Sequence, residues 1–355
     1  MHIAYFITGH GFGHALRSTV IAGKFSPGTR ITFISNLPES FFKRELSRPF
    51  TLLNLQLDCG CIQKDFVTVD IKRTLDRYTA IAGENTTTIK NLVQWCREEK
   101  VDGIVSDIVP AAFRVAERSD LPSIAVTNFT WFDIYSEYTD VYPVFEPELA
   151  AIKLDYMRAS RLLAMNPALP MNYFRSSEQV PLIGRKGDNK KELIHHYYGT
   201  PAENKMALIY IGDFGLSGTE WELLRAFRSW EFFGLQILPG APPNYHTIDA
   251  TEVAYPDLIA SADCVIGKLG YGLVAEAMVN GTPIIYLPRN DFAEYPVLEK
   301  AVTEWGGGIC ISREKFSSLD WDEAFSTLGK MKPPTAFTSE GATECAERIE
   351  SLITG

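Results

Sequence analysis

Two histidines flank a run of glycines directly after the first apolar segment. Ile3–Ile7 leads into Thr8-Gly9-His10-Gly11-Phe12-Gly13-His14-Ala15-Leu16-Arg17. A neutral imidazole, with an ordinary pKa of about 6.5, suits a general base that takes a proton from a hydroxyl. Such a base needs an orienting carboxylate. Asp107 follows the apolar run Gly103-Ile104-Val105-Ser106, and in a parallel sheet the ends of both runs share one edge. The reading is therefore His14 as base, at a helix start, and Asp107 as its orienter, with His10 on the acceptor side. Glycines at alternate positions permit a tight loop and close backbone approach to a ligand. The helix that follows offers free N–H groups there, and Gly13 is placed among the donor-binding backbone. A dinucleotide-binding turn fits badly, because the spacing is Gly-x-Gly-x-Gly and the second strand ends in Ser35-Asn36 with no acidic residue for a ribose.

A second segment has the chemistry of a nucleotide site. The apolar run Cys264-Val265-Ile266 ends in Gly267-Lys268-Leu269-Gly270-Tyr271-Gly272-Leu273-Val274-Ala275-Glu276, and the helix it opens stops near Asn280-Gly281. The N–H groups of Gly270, Tyr271, Gly272 and Leu273 suit a diphosphate, and Lys268 adds positive charge. Glu276, in the second turn, suits the two hydroxyls of a ribose. Asp291, after the strand Pro283–Leu287, is placed on the sugar, and Gly212, Asp213 and Phe214 follow the strand Met206–Ile211 near the phosphates.

These segments need sheets to position them. The first half alternates strand and helix patterns: strands at Ile3–Ile7, Arg30–Ser35, Asp102–Ser106 and Ser123–Val126, helices at Ala15–Lys24, Thr79–Lys100 and Ala111–Arg118. That rhythm predicts a parallel sheet covered on both faces. It weakens after Asn166 and restarts at Met206–Ile211, with further strands at Leu235–Leu238, Cys264–Ile266, Pro283–Leu287 and Gly308–Ile311. The polar run Gly184–Lys191 reads as a linker. The 355 residues suit two domains of roughly 150 residues each.

A net charge of -10 argues against nucleic acid as the main partner. The six cysteines include no Cys-x-x-Cys pair, so no structural metal is expected. No apolar run reaches the ~18 residues of a membrane span, and the chain enters a strand pattern at once. The expectation is a cytoplasmic protein with reduced thiols.

The two chemical segments resemble those of the B-type glycosyltransferases. His14 matches the histidine of their N-terminal glycine loop, and Asp107 matches the carboxylate that assists it. Gly267–Glu276 matches the donor motif, with Glu276 in the ribose position. Asp291 falls near the acidic position that contacts the sugar, but Phe292 stands where that pattern has a glutamine. A closer resemblance is to the glycosyltransferase-like half of plant L-arabinokinases. It is carried by Gly9–Ala15, Leu57-Asp58-Cys59-Gly60, Val105-Ser106-Asp107, Val126–Trp131 with Ile134-Tyr135 and Glu137-Tyr138, and Gly267–Gly272. No Gly/Ser-rich kinase phosphate loop is present.

The resemblance implies an α/β architecture of two Rossmann-like, doubly wound parallel-sheet domains facing across a cleft, the GT-B fold. The expected partition is 1–182 for the acceptor side, 183–205 for the linker, 206–335 for the donor side and 336–355 for a C-terminal helix returning to the first domain. The implied activity is inverting, metal-independent transfer from a nucleotide-diphosphate sugar, UDP-sugar favoured, to a hydroxyl of a small molecule or glycan. The nucleotide sugar is a co-substrate, and no cofactor or metal is expected. Leu57–Phe66 and Asn128–Tyr138 are expected on the acceptor side, with Asn128, Trp131 and Tyr135 as candidates. The rival readings are a non-catalytic nucleotide-sugar-binding module and a nucleotide-sugar epimerase or hydrolase.

Overall fold

The computed structural model describes residues 1–211, 219–238, 240–249 and 252–355. Gly212, Asp213 and Phe214, expected near the donor phosphates, lie outside the described residues. The chain divides into two compact units. The first comprises Met1–Ile62, Val69–Ile183 and Glu340–Gly355, and the second comprises Gln63–Thr68 and Gly184–Ser339.

The first unit holds a seven-stranded parallel sheet. Its strands are β1 (His2–Ile7), β2 (Arg30–Ser35), β3 (Thr51–Asn54), β4 (Gly103–Asp107), β5 (Ser123–Thr127), β6 (Arg161–Met165) and β7 (Ser177–Val180), in the order β3-β2-β1-β4-β5-β6-β7. Every residue of β1, β4 and β5 is buried, as expected where helices cover both faces. The order reverses between β1 and β4. Ile7 pairs with Asp107, and the Thr8 N–H donates to the Asp107 carbonyl at 3.1 Å. Ligands of doubly wound sheets bind at such a switch point, beyond the carboxyl ends of the strands.

The second unit repeats the plan with β8 (Lys205–Tyr210), β9 (Trp230–Gly234), β10 (Tyr245–Thr247), β11 (Cys264–Lys268), β12 (Ile284–Leu287) and β13 (Gly308–Cys310), in the order β10-β9-β8-β11-β12-β13. Successive residues serve opposite faces. Ala207, Ile209 and Phe232 join a core with Trp321 and Phe325, while Leu208 and Phe233 join Leu258 and Ile259. The switch point lies between β8 and β11, where Gly267 pairs with Tyr210.

The structure departs from the sequence expectation at several points. The stretch read as a linker is instead part of the second unit. Arg185 pairs with Glu276, Lys190 with Asp257 and Lys191 with Asp263, and Lys191–Tyr198 is a helix. These pairs leave no local sign because the carboxylates lie 67 to 91 residues further on. The strand expected at Leu235–Leu238 occurs five residues earlier, at Trp230–Gly234, where Trp230, Phe232 and Phe233 fill the two cores. Segment 63–68 belongs to the second unit, with Phe66 fully buried in its core. The terminal helix, Gly341–Thr354, belongs to the first unit. Its Glu350 accepts from the hydroxyls of Ser26 (2.7 Å) and Thr29 (2.6 Å).

Candidate active site

In the first unit the helix after β1 starts at Phe12, three residues before its expected start, so His14 lies in its first turn. His14 is 8% exposed, and its Nδ1 lies 2.9 Å from Asp107 Oδ1 at the end of β4. Arg17, three residues on and therefore on the same helix face, reaches the same carboxylate. Its Nε donates to Asp107 Oδ2 at 2.6 Å, one Nη to Oδ1 at 2.5 Å, and the other Nη to Asn128 Oδ1 at 2.7 Å. The Ser18 hydroxyl adds a bond to Oδ2 at 3.1 Å. Asp107, Arg17 and Asn128 are all buried.

Charge decides which form of the His14 ring is favoured. The same Arg17 Nη that holds Asp107 Oδ1 lies 2.9 Å from His14 Nδ1. A carboxylate is the stronger partner, so Nδ1 keeps its hydrogen and donates to Asp107, and the lone pair falls on Nε2. Burial, then the Arg17 charge, hold the His14 pKa below its ordinary value, against the pull of Asp107. Burial pushes Asp107 up, but the charges of Arg17 and His14 more than offset it, and its carboxyl lies below the usual range. The result is an ionised aspartate holding a neutral imidazole, a form ready to accept a proton at neutral pH.

His10 has a different part. The Cys61 N–H donates to its Nδ1 at 3.1 Å, so Nε2 carries the hydrogen and the ring is a donor rather than a base. Trp131 packs edge-on against it at 5.2 Å. Trp131 and Tyr135 are fully buried and stacked on each other, so packing takes up the aromatic run expected on the acceptor side.

The sequence reading gave no role to Arg17 and placed Asp58 only within the acceptor-side segment Leu57–Phe66. Asp58 accepts from the Thr8 hydroxyl at 2.7 Å and from Trp131 Nε1 at 2.9 Å, and burial pushes its pKa up to about 6. The signals were present: an arginine one turn after a histidine, and a lone acid following apolar Leu55 and Leu57. Gly60 has a φ of +57°, where an added Cβ would also collide with the His10 ring. Gly60→Ala is therefore expected to cost roughly 1–3 kcal/mol, read as a lower urea midpoint. An unchanged midpoint would show that the loop relaxes freely.

In the second unit Gly270 caps the helix Tyr271–Asn280, which ends at Gly281 in the left-handed region. Tyr271 and Leu273 are buried, and Gly270 and Gly272 are half-buried. Lys268 is engaged by segment 63–68. Its Nζ donates to the Phe66 carbonyl at 2.7 Å, reaches Gln63 Oε1 at 3.4 Å and lies 4.8 Å from the Phe66 ring. Burial, then the Arg289 charge, bring its pKa down to about 7. Glu276 is 2% exposed and accepts from Arg185 Nε at 2.5 Å. Asp291 accepts from Arg289 Nε at 3.2 Å, and the Arg289 guanidinium lies 3.9 Å over the Phe292 ring. Phe292, which replaces the expected glutamine, is thus a platform for a buried arginine that the sequence reading did not single out. Gly13 belongs to the first unit, exposed in the first turn beside His14, apart in sequence from the other donor candidates. Among the described residues no three His, Cys, Asp or Glu side chains group as metal ligands, and no helix is long and apolar enough to cross a membrane.

No protein-family model matches the chain. L-arabinokinase of Arabidopsis thaliana is 30% identical over 343 residues, which are 93% of this chain and 32% of that protein. The chain thus spans about a third of the length of the curated relative it matches. Among solved structures, the glycosyltransferase of kitacinnamycin covers 99% of both chains at a TM-score of 0.65 and 18% identity. A UDP-glucosyltransferase from Polygonum tinctorium, solved with 3,4-dichloroaniline, covers 100% of this chain and 98% of its own at a TM-score of 0.66 and 12% identity. The chain has the GT-B glycosyltransferase fold and is similar in sequence to about one third of a plant L-arabinokinase.

Proposed function

We propose that this chain is a glycosyltransferase that moves a sugar from a nucleotide-diphosphate sugar, UDP-sugar favoured, to a hydroxyl acceptor, with inversion and without a metal. The observation that carries this reading is the buried His14–Asp107 pair at the switch point of the first sheet. In the proposed step His14 Nε2 takes the acceptor proton as the acceptor oxygen bonds to the anomeric carbon. The bond from that carbon to the diphosphate breaks, and the diphosphate leaves with the electron pair. Helix N–H groups at Gly270–Leu273 and the ammonium of Lys268 stabilise that leaving charge, and Glu276 holds the ribose.

The test is a thermal-shift panel of UDP-, dTDP- and GDP-sugars. A ligand at 100 times its dissociation constant adds ~2.7 kcal/mol, and the largest shift is expected with the UDP compounds. Lys268 makes the binding pH-dependent. With its pKa at about 7, much of the ammonium is deprotonated at mildly alkaline pH, and a bound diphosphate favours the charged form. UDP binding near pH 7–8 is therefore expected to take up protons, read by calorimetry in buffers of different ionisation enthalpy. Binding without proton uptake would remove Lys268 from the donor site.

The engagement of Lys268 by segment 63–68 and of Glu276 by Arg185 favours a second reading. On it the chain binds nucleotide sugars without transferring them. UDP-sugar binding with no product over a broad acceptor panel would select it. Free UDP released without any acceptor would select hydrolysis.

A further inference from the structure

A cavity of about 710 Å³ opens on the first unit, within the ~300–1,000 Å³ usual for small-molecule sites. Gln56, Cys59 and Ile62 form one wall, and the first two turns of the helix Ile71–Glu98 form the other. Arg73 and Arg77 stand one turn apart on that helix and share an exposed face. The other charges of the cavity are engaged within it. Lys72 pairs with Asp76 at 2.6 Å, and Asp76 also accepts from the Tyr142 hydroxyl at 2.8 Å. Asp70 caps the helix by accepting the Arg73 N–H at 3.2 Å. Arg77 gives one N–H to Gln56 Oε1 at 3.1 Å. Among the described residues neither Arg73 nor Arg77 has a carboxylate within ion-pair distance. Two guanidiniums kept free of carboxylates in a chain of net charge -10 are suited to an oxyanion, which their planar forks bind bidentately.

The cavity wall continues into the histidine network. Asp58 holds Trp131, the Gly60 carbonyl accepts from the Tyr135 hydroxyl at 2.7 Å, and the Cys61 N–H holds His10. Cys59, in the middle of this segment, faces the cavity. We infer that this cavity binds an anionic group of the acceptor, a phosphate or carboxylate held by Arg73 and Arg77, so that the acceptor is a hydroxyl compound bearing an oxyanion. The inference rests on the glycosyl-transfer reading for the word acceptor, but the anion site itself does not.

Cys59 supplies a local reporter. It is half-buried in the wall, Cys310 in the second unit is exposed, and the other four cysteines are buried. Burial pushes the Cys59 thiol up to about 12, so its labelling is slow and all rates are compared at one pH. Maleimide labelling, quantified by peptide mass spectrometry, is run with inorganic phosphate or acetate at an ionic strength matched with chloride. The expected result is that Cys59 labelling slows several-fold while Cys310 is unchanged, and that the protection disappears in the R73Q/R77Q double variant. Protection by phosphate alone assigns a phosphorylated acceptor, and protection by acetate as well assigns a carboxylate. No protection by either, or protection that persists in the double variant, overturns the proposal. A wild type that UDP fails to stabilise would instead sink the transfer reading, and Cys59 protection would still stand as a readout of the anion site.

Discussion

His14→Ala is expected to lower the transfer rate by about 10²–10⁴-fold, the usual worth of a positioned general base, while UDP affinity stays at the wild-type value. The split follows from where the groups lie. His14 belongs to the first unit, and the diphosphate candidates Lys268 and Gly270–Leu273 belong to the second. The pH profile sharpens the test. Burial and Arg17 hold His14 below its ordinary pKa, so the neutral base persists through neutral pH and the acid limb of kcat lies below about 6.5. Asp107→Asn takes away the group that opposes this lowering and also the acceptor that fixes the tautomer. Its acid limb is expected to move further down and its rate to fall. Full turnover in His14→Ala, or an acid limb above the ordinary imidazole value, would remove His14 as the base.

The partners at the centre of this site were legible to different degrees. His14 stands in the first turn of the helix that follows β1, and Asp107 ends β4, both strands buried throughout, so the parallel-sheet rule places them at one edge. Arg17 was not assigned because a charged residue inside a helix usually faces water, and only Asp107 beneath it makes burial tolerable. The Asp58–Trp131 bond spans 73 residues and leaves no local pattern. The fold shows the same division. Central β1, β4, β5, β8, β11 and β12 announced themselves, whereas β3 and β7 did not, because they lie at the sheet edges and keep polar or half-exposed residues; interior β6 and β9 were passed over or misplaced although both are largely buried. Segment 63–68 is too short to show any period; the burial of Phe66 and Val67, the Phe66 carbonyl bond to Lys268 and the Asp65 pair with Arg313 reveal the unit it serves. The run 184–191 misled for an electrostatic reason: its cations find Glu276, Asp257 and Asp263, which no local reading pairs with it.

Arg17→Met is expected to cost about 3–5 kcal/mol, the price of stranding one member of a buried ion pair, against a total stability of order 5–15 kcal/mol. The variant leaves the Asp107 carboxylate, 1% exposed, with only His14 and Ser18 beside it, and strips Asn128 of its 2.7 Å bond. The pH dependence has a definite sign. In the wild type Asp107 and His14 both titrate below their unfolded values. Each therefore contributes stability that is present above its unfolded pKa and lost as pH falls through its folded one. Without Arg17 the largest influence lowering Asp107 is gone, its folded pKa rises, and protonation relieves the stranded charge. The gap in urea midpoint between variant and wild type is thus widest at neutral pH and narrows in acid. The same substitution lifts the Arg17 pressure on His14, so the acid limb of activity moves up in any fraction that remains folded. The double variant Arg17→Met/Asp107→Leu removes both charges and is expected to recover much of the loss. A cost below about 1 kcal/mol, the worth of an exposed pair, or a gap that widens in acid, would mean that Arg17 does not neutralise Asp107 in solution.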